Sequence, residues 1–128
     1  MTGKNYKILL VEDDTTLAEM YSLKFKTEGF DLSQATDGLT GLELAKKELP
    51  DIILLDIMMP RMDGYAVLTE LKKDSKTSNI PILMLSNLGQ KSDVEKGKVL
   101  GAKDYIVKAS MTPAQVVEKV KKYLPAGS

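Results

Sequence analysis

The stretch IILLD at residues 52–56 places four consecutive aliphatic side chains directly before a carboxylate, that of Asp56. An apolar run without alternation is typical of a strand that is buried on both faces of a parallel sheet. In open sheets of this kind, ligands bind outside the carboxyl ends of the strands. The sequence therefore predicts that Asp56 lies at the edge of the sheet where a binding site forms.

Three other short apolar runs also end in polar residues that can take part in chemistry. They are ILLV at 8–11 before Glu12 and Asp13, ILML at 82–85 before Ser86, and YIV at 105–107 before Lys108. If all four strands are parallel, their carboxyl ends share one edge, which then gathers carboxylates, a hydroxyl and an ammonium group. Such an edge suits Mg²⁺ and a phosphoryl group, because Mg²⁺ takes oxygen ligands and phosphoryl oxygens need neutralisation and alignment.

Helical patterns separate these strands, and a weaker strand is predicted at about 30–35. The predicted helices cover residues 15–28, 39–49, 65–73, 91–100 and 112–124. This alternation predicts an α/β fold, a doubly wound sheet of five parallel strands with five helices on its two faces. The half-polar strand at 30–35 suits an edge, which favours the flavodoxin-like strand order 2-1-3-4-5. In the second helix, Leu49 is expected on the buried face.

Composition removes several classes of function. The 128 residues, the size of one domain, contain no cysteine and no histidine, which excludes disulfides, thiolate metal sites and Ser-His-Asp triads. Eighteen basic residues balance eighteen acidic ones, so the chain lacks the positive excess expected of a protein that binds nucleic acid or an anionic membrane. Since no apolar stretch reaches membrane-spanning length, the sequence predicts a cytoplasmic protein.

The carboxylates of Glu12, Asp13 and Asp56 are expected to be neighbours in the crevice between the first and third strands. Like charges held that close raise one another's pKa unless a cation lies among them, and Mg²⁺ is the hard cation that suits oxygen ligands. An Asp56 carboxylate neutralised in this way can attack a phosphoryl group and form an acyl phosphate. Lys108 can pair with Asp56 before the reaction and with phosphoryl oxygens after it, while Ser86 can donate a hydrogen bond.

Four motifs together resemble the signatures of the receiver domain of two-component response regulators. They are VEDD at 11–14, DIMMPRMDG at 56–64, LS at 85–86 and YIVK at 105–108. The resemblance covers about residues 7–124. It implies that Asp56 accepts a phosphoryl group from the phosphohistidine of a sensor histidine kinase or phosphotransfer protein. It also implies that Asp13, Asp56 and the backbone carbonyl of Met58 bind Mg²⁺, with Glu12 acting through water.

The resemblance further implies how such a domain signals. Ser86 and Lys108 would hold the phosphoryl oxygens, and Ser86 would move towards them while Tyr105 turns inward. These movements would alter the face made by the fourth helix, fifth strand and fifth helix, which a downstream protein or a separate output domain would read. Phosphorylation-dependent dimerisation through that face stays open. The first turn of the first helix, around Thr16, Leu17 and Met20, is expected to face the kinase.

On this interpretation residues 1–128 form a single receiver domain without an output domain in the chain. The protein is then a phosphotransfer acceptor and not a turnover enzyme, although it assists its own phosphorylation and slow dephosphorylation. The phosphorylated form is expected to last for hours, because the two positions that tune its lifetime in the family hold apolar residues, Met58 and Leu88.

One departure from the family pattern follows Lys108, where Ala109 replaces the usual proline of a cis bond. A cis bond before a residue other than proline costs about 2.5–4 kcal/mol, so a trans link and a reshaped loop are expected here.

Three other functions are alternatives to this one. A receiver-like module that acts by protein contact without phosphorylation stays open, although the intact set of Asp13, Asp56, Ser86 and Lys108 argues against it. A flavin-binding protein of the same fold would need a phosphate-cradling loop after the first strand, and the acids of EDDTT at 12–16 repel phosphate. A phosphatase of the haloacid-dehalogenase type would need a second aspartate two residues after Asp56.

Overall fold

The computed structural model describes residues 5–125, in which five strands alternate with five helices. The strands are β1 Lys7–Val11, β2 Asp31–Ala35, β3 Ile52–Asp56, β4 Ile82–Ser86 and β5 Asp104–Val107. The helices are α1 Thr15–Thr27, α2 Gly38–Glu48, α3 Gly64–Lys73, α4 Lys91–Val99 and α5 Pro113–Lys121. The outermost residues of the predicted domain, 1–4 and 126–128, lie outside this description.

All five strands are parallel and follow the order β2-β1-β3-β4-β5. The predicted fold class and strand order are therefore confirmed. Val11 pairs with Leu55, Asp56 with Leu85 and Ser86 with Val107. This register keeps the carboxyl ends of β1, β3, β4 and β5 level, so their terminal side chains meet at one edge of the sheet.

Two apolar clusters fill the two faces of the sheet. Alternate strand residues such as Leu10 and Leu54 pack with α1 and α5 on one face. Their neighbours Val11 and Leu55 pack with α2 and α3 on the other. Because β3 is covered on both sides, every one of its residues is buried, as the unbroken apolar run at 52–55 predicts.

The prediction for Leu49 was wrong. Its side chain is 48% exposed, and its backbone adopts the left-handed conformation (φ 49°) as the cap that ends α2. Pro50 follows, and a residue that precedes proline is disfavoured in the right-handed helical conformation. The helix therefore stops before Leu49, and its buried face is made by Leu42 and Ala45.

Aspartates begin the three helices that follow strands β1, β2 and β3. Asp14, Asp37 and Asp63 each accept a hydrogen bond from a backbone N–H in the first turn of α1, α2 and α3. A capping box between Thr112 and Gln115 begins α5. By contrast, α4 has no side-chain cap and buries only a glycine, so few contacts hold it against the sheet.

Candidate functional site

Four strand ends bring the predicted site residues to the carboxyl edge of the sheet. Asp56, the last residue of β3, is 4% exposed, and Glu12, directly after β1, is fully buried. Ser86, the last residue of β4, is also buried, and Lys108 follows β5. Because the strands are parallel and in register, residues that are far apart in the sequence become neighbours here.

Lys108 joins two buried carboxylates. Its Nζ lies 2.9 Å from Oε1 of Glu12 and 3.2 Å from Oδ2 of Asp56. The backbone N–H of Lys108 donates to the carbonyl of Ser86 over 2.8 Å, which continues the β4–β5 pairing one residue beyond the strand. This bond directs the lysine side chain back across the end of β4 towards β3 and β1, where it neutralises part of the negative charge.

Burial dominates the electrostatics of Asp56. Removal from water raises its pKa, and the hydrogen bond and negative charge of Glu12 raise it further, to about 8. The ammonium of Lys108 opposes this rise only in part. Burial lowers the pKa of Lys108 itself, but the hydrogen bond to Glu12 and the two carboxylate charges outweigh burial and raise that pKa. One lysine therefore cannot neutralise the negative charge that Glu12 and Asp56 together would carry.

Glu12, Asp13 and Asp56 form an acidic triplet. One carboxylate oxygen from each lies within 4.8 Å of the others. The second carboxylate oxygen of Glu12 accepts the backbone N–H of Asp14 over 3.0 Å, which fixes its orientation. Asp13 is exposed while its two partners are buried, so the triplet opens to solvent on one side. Three hard oxygen donors beside an open position fit Mg²⁺, which takes few protein ligands and keeps several waters.

The raised pKa of Asp56 predicts how the stability of the protein without bound metal depends on pH. Since the pKa of Asp56 is about 8 in the folded protein and 3.8 is its ordinary value, folding binds this proton more tightly. The contribution of Asp56 to stability is therefore fully present below about pH 4 and is lost as the pH rises through about 8. In urea unfolding without metal, Asp56→Asn should be more stable than the wild type by about 1–3 kcal/mol near pH 9, and similar near pH 4.

Asp51→Asn is the matched control for this prediction, because Asp51 lies exposed at the other end of β3 and accepts the N–H of Lys7 over 2.8 Å. Its variant should keep the pH dependence of the wild type. Equal pH dependence in the wild type and Asp56→Asn would contradict the raised pKa of Asp56.

The loop after β3 folds back against the end of that strand. The N–H of Gly64 donates to the carbonyl of Ile57 over 2.7 Å, and a Cβ at Gly64 would lie 2.1 Å from the carbonyl oxygen of Asp56. No larger residue fits without moving the backbone that carries the candidate phosphoacceptor. Met58 lies in this loop with its side chain 72% exposed.

Gly64→Ala should destabilise the protein by about 2–3 kcal/mol, because the new methyl group meets rigid backbone and not a flexible side chain. Gly97→Ala in α4 is the control, since its Cβ would meet only side chains, Met84 at 3.3 Å and Ala102 at 3.8 Å. That change should alter stability by no more than about 1 kcal/mol. Urea denaturation of both variants measures the difference, and equal stabilities would show that the loop can move away from the strand.

Ser86 makes a local contact in this state. Its Oγ accepts the N–H of Gly89 over 2.9 Å and so closes the β4–α4 loop. A hydroxyl that accepts one bond keeps its own proton to donate elsewhere. Leu88 lies in the same loop with its side chain 69% exposed.

An open cleft of about 460 Å³ lies next to Lys108, at the edge of the sheet. Its lining residues come from the start of α1 and its N-cap and from the loops after β4 and β5, and they are Asp14, Leu17, Asn87, Leu88, Lys108 and Ala109. Sequence reasoning assigned no role to Asp14 or Asn87. Asp14 carried a detectable signal, because an aspartate directly before a helical pattern is a typical N-cap.

The Lys108–Ala109 bond agrees with expectation. No cis peptide bond occurs within residues 5–125, and the N–H of Ala109 donates to the carbonyl of Asn87 over 3.1 Å. The prediction of a trans link is therefore confirmed.

Tyr105 lies apart from the acidic triplet. Its half-buried ring lies between α4 and α5, with Nζ of Lys98 5.6 Å and Nζ of Lys119 4.8 Å from the ring centroid. Lys119 also pairs with Asp104 at 3.4 Å. These cation–π contacts favour the observed position of the ring. Sequence reasoning missed both lysines, because contacts between separate elements leave no local pattern.

A doubly wound parallel sheet with an acidic triplet, a hydroxyl and a buried lysine at its carboxyl edge is the arrangement expected of a receiver domain. The family model described as the response regulator receiver domain matches residues 8–121. The chain therefore belongs to the response regulator receiver family.

Individual relatives agree with this assignment. The chain is 41% identical over 102 residues to the DNA-binding dual master transcriptional regulator RpaA of Synechocystis. The matched residues make up 80% of this chain and 42% of that protein. A response regulator from Chloroflexus aurantiacus superposes with a TM-score of 0.88 at 33% identity, covering 94% of this chain and 98% of that one. The chain thus spans less than half the length of the curated relative.

A third protein shares the fold at lower identity. It is the receiver domain of a sensor histidine kinase from Pseudomonas aeruginosa, with a TM-score of 0.85 and 23% identity over 94% of this chain and 98% of that one. That structure holds a magnesium ion in its active-site cleft. Within residues 5–125 of the present chain, none of the helices has the length and apolar character needed to cross a membrane.

Proposed function

We propose that this protein is a phosphorylation switch that accepts a phosphoryl group on Asp56 from the phosphohistidine of a sensor histidine kinase or phosphotransfer protein. One observation carries the proposal. A buried lysine, Lys108, bridges Asp56 and Glu12 at 3.2 Å and 2.9 Å beside a carboxylate triplet that is open on one side. Such an arrangement holds a nucleophilic carboxylate next to the cations that a phosphoryl group needs.

In the proposed reaction a carboxylate oxygen of Asp56 attacks the phosphorus atom of the donor. An O–P bond forms while the P–N bond to the donor imidazole breaks, and the imidazole keeps the electron pair and takes up a proton. Lys108 pairs with the Asp56 carboxylate before the reaction and with the phosphoryl oxygens after it. The Ser86 hydroxyl donates a hydrogen bond to one of these oxygens. Because the phosphoryl group ends on the protein itself, the chain is an acceptor that assists its own modification.

The acidic triplet would hold Mg²⁺ through Asp13, Asp56 and the backbone carbonyl of Met58, with Glu12 acting through water. When bound, the ion neutralises the carboxylates and offsets the charge of the phosphoryl oxygens. The raised pKa of Asp56 supports this assignment, because crowded carboxylates without a cation hold a proton that metal binding would release.

The output of the switch follows from two contacts. If Ser86 turns towards a phosphoryl group, its bond to the N–H of Gly89 is lost and the loop before α4 is freed. If Tyr105 turns inward, it leaves Lys98 and Lys119, and the face made by α4, β5 and α5 changes. We infer that a downstream protein or a separate output domain reads this face, and that the switch works in the cytoplasm. Nucleic acid and membranes are not proposed as partners of this domain.

The direct test is the mass of the intact protein after incubation with acetyl phosphate and Mg²⁺. A gain of one phosphoryl group that requires Mg²⁺ supports the proposal. If no gain occurs and beryllofluoride also produces no Mg²⁺-dependent response, a module that acts by contact alone becomes the better explanation.

The phosphorylated protein should lose its phosphoryl group over hours. Met58 and Leu88 are exposed but apolar, so neither can orient a water molecule for attack. Replacing Leu88 with glutamine should shorten the half-life about tenfold, because its amide can position water. The decay of the phosphorylated mass with time measures this effect.

Leu23→Gln is the matched control for the lifetime, because Leu23 is 70% exposed, as Leu88 is 69%, but lies on α1. This variant should decay at the rate of the wild type. A wild-type half-life of seconds would contradict the assignment of Met58 and Leu88 as lifetime-setting residues.

A further inference from the structure

The hydroxyl of Tyr21 has no hydrogen-bond partner. Tyr21 is 1% exposed, and within residues 5–125 its hydroxyl is the one buried side-chain polar atom without a partner. Buried polar groups in native proteins are nearly always paired, because an unmade bond leaves the full cost of desolvation. The hydroxyl of Tyr21 therefore keeps its capacity to make a hydrogen bond.

The placement of Tyr21 directs the hydroxyl towards the candidate site. Tyr21 lies four residues after Leu17, on the same face of α1. Leu17 and Lys108 both line the open cleft at the edge of the sheet. Helical side chains lean towards the amino end of their helix, and α1 begins just after the end of β1. The ring packs in the same cluster as Leu10 and Leu54, each two residues before a site carboxylate.

The charged side chains of the site affect the pKa of the Tyr21 hydroxyl. Burial raises the pKa of Tyr21, and the negative charges of Glu12 and Asp56 raise it further, while the positive charge of Lys108 lowers it. The ammonium of Lys108 therefore lies near enough to the hydroxyl of Tyr21 for its charge to lower that pKa. A hydroxyl placed here can accept a hydrogen bond from an ammonium at little further cost, because both groups are already desolvated.

The ammonium group of Lys108 can donate one more hydrogen bond. An ammonium carries three N–H groups, and in the metal-free protein contacts to Glu12 and Asp56 occupy two of them. A divalent cation held by the triplet would offset the negative charge of Glu12, so the attraction of Glu12 for Lys108 would weaken. The lysine side chain is only 11% exposed, so water cannot easily replace this partner.

We propose that Tyr21 is a positioning residue of the switch, whose hydroxyl accepts a hydrogen bond from Lys108 once Asp56 carries a phosphoryl group. The bond fixes the ammonium against the phosphoryl oxygens. This inference rests on the proposed function, since it describes the loaded state of the same site. In the structure Glu12 and Asp56 hold the lysine, and the hydroxyl of Tyr21 has no partner.

The test replaces the hydroxyl alone, in Tyr21→Phe, and uses Mg²⁺ with beryllofluoride as the probe of the loaded state. Without ligand, the midpoint of thermal unfolding should rise by about 3 °C, because an unpaired buried hydroxyl has been removed. Titration calorimetry should show affinity for beryllofluoride about tenfold weaker, because a hydrogen bond to a charged group has been lost. In wild-type protein with labelled tyrosines, the ¹³C resonance of the ring carbon that bears the hydroxyl should shift on loading.

Tyr123→Phe is the matched control, because its hydroxyl is paired with Asp104 and its ring packs against the same apolar cluster. This variant should unfold at a lower temperature and keep wild-type affinity for beryllofluoride. A lower unfolding temperature for Tyr21→Phe, or an affinity within about twofold of the wild type, would overturn the inference. Binding by the wild-type protein tests the proposed function separately, so the two failures are distinguishable.

Discussion

Asp56→Asn is expected to gain no phosphoryl group from acetyl phosphate under conditions that label the wild-type protein. The amide keeps the shape of the side chain, but it has no anionic oxygen to attack phosphorus, so incorporation should be lost and not merely slowed. The side chain is 4% exposed and lies 3.2 Å from Nζ of Lys108, so it is both shielded and neutralised for this reaction. Intact-protein mass with and without Mg²⁺ measures the result.

Asp51→Asn serves as the control for phosphorylation too, since it changes the same functional group at the opposite, exposed end of β3. That variant should be labelled as fully as the wild type. A phosphoryl group found on Asp56→Asn would place the acceptor elsewhere in the chain, and Asp13, the exposed member of the triplet, would be the first residue to examine.

Asp13→Asn is expected to weaken Mg²⁺ binding about 100-fold, because it removes a charged oxygen ligand from a triplet that has only three carboxylates. The exposed side chain of Asp13 has no role in the core, so the protein should fold normally. Titration calorimetry with Mg²⁺ measures the affinity directly. Phosphorylation of this variant should then need correspondingly higher Mg²⁺ concentrations.

Asp14→Asn is a close control, because it changes the same charge one residue later. The side chain of Asp14 accepts the N–H of Leu17 over 3.1 Å as the cap of α1, and asparagine caps helices as well as aspartate does. Its Mg²⁺ affinity should stay within about threefold of the wild type, since only the general field of a nearby charge is lost. If both variants lost affinity equally, the triplet would act through net charge and not through direct ligation.

The residues at the strand ends could be predicted from their neighbours in the sequence. Because a residue's place in a buried strand depends on its immediate neighbours, the apolar runs correctly predicted where Glu12, Asp56, Ser86 and Lys108 leave the sheet. The same reasoning placed Leu49 wrongly, since apolar spacing ignores the restriction that the following proline imposes. The expected role of each site residue stays a prediction, to be decided by the variants described above.

Contacts between distant elements could not be read from the sequence. The pairing of Lys108 with both Glu12 and Asp56, the lysines on either side of Tyr105 and the unpaired hydroxyl of Tyr21 all join residues of different elements. No spacing along the chain encodes such distances.

The amino-acid sequence was therefore sufficient for the alternation of strands and helices and for the residues at the strand ends, because hydrophobic periodicity and turn chemistry act over short stretches of chain. The strand order was predicted from the likeness to flavodoxin-like folds. The tertiary structure alone decided the charge balance of the site. How deeply Asp56 is buried, and which carboxylates share Lys108, depend on the packing of β1, β3 and β5 with α1. Those two quantities set the pKa of Asp56, because desolvation and charge pairing are properties of the assembled interior.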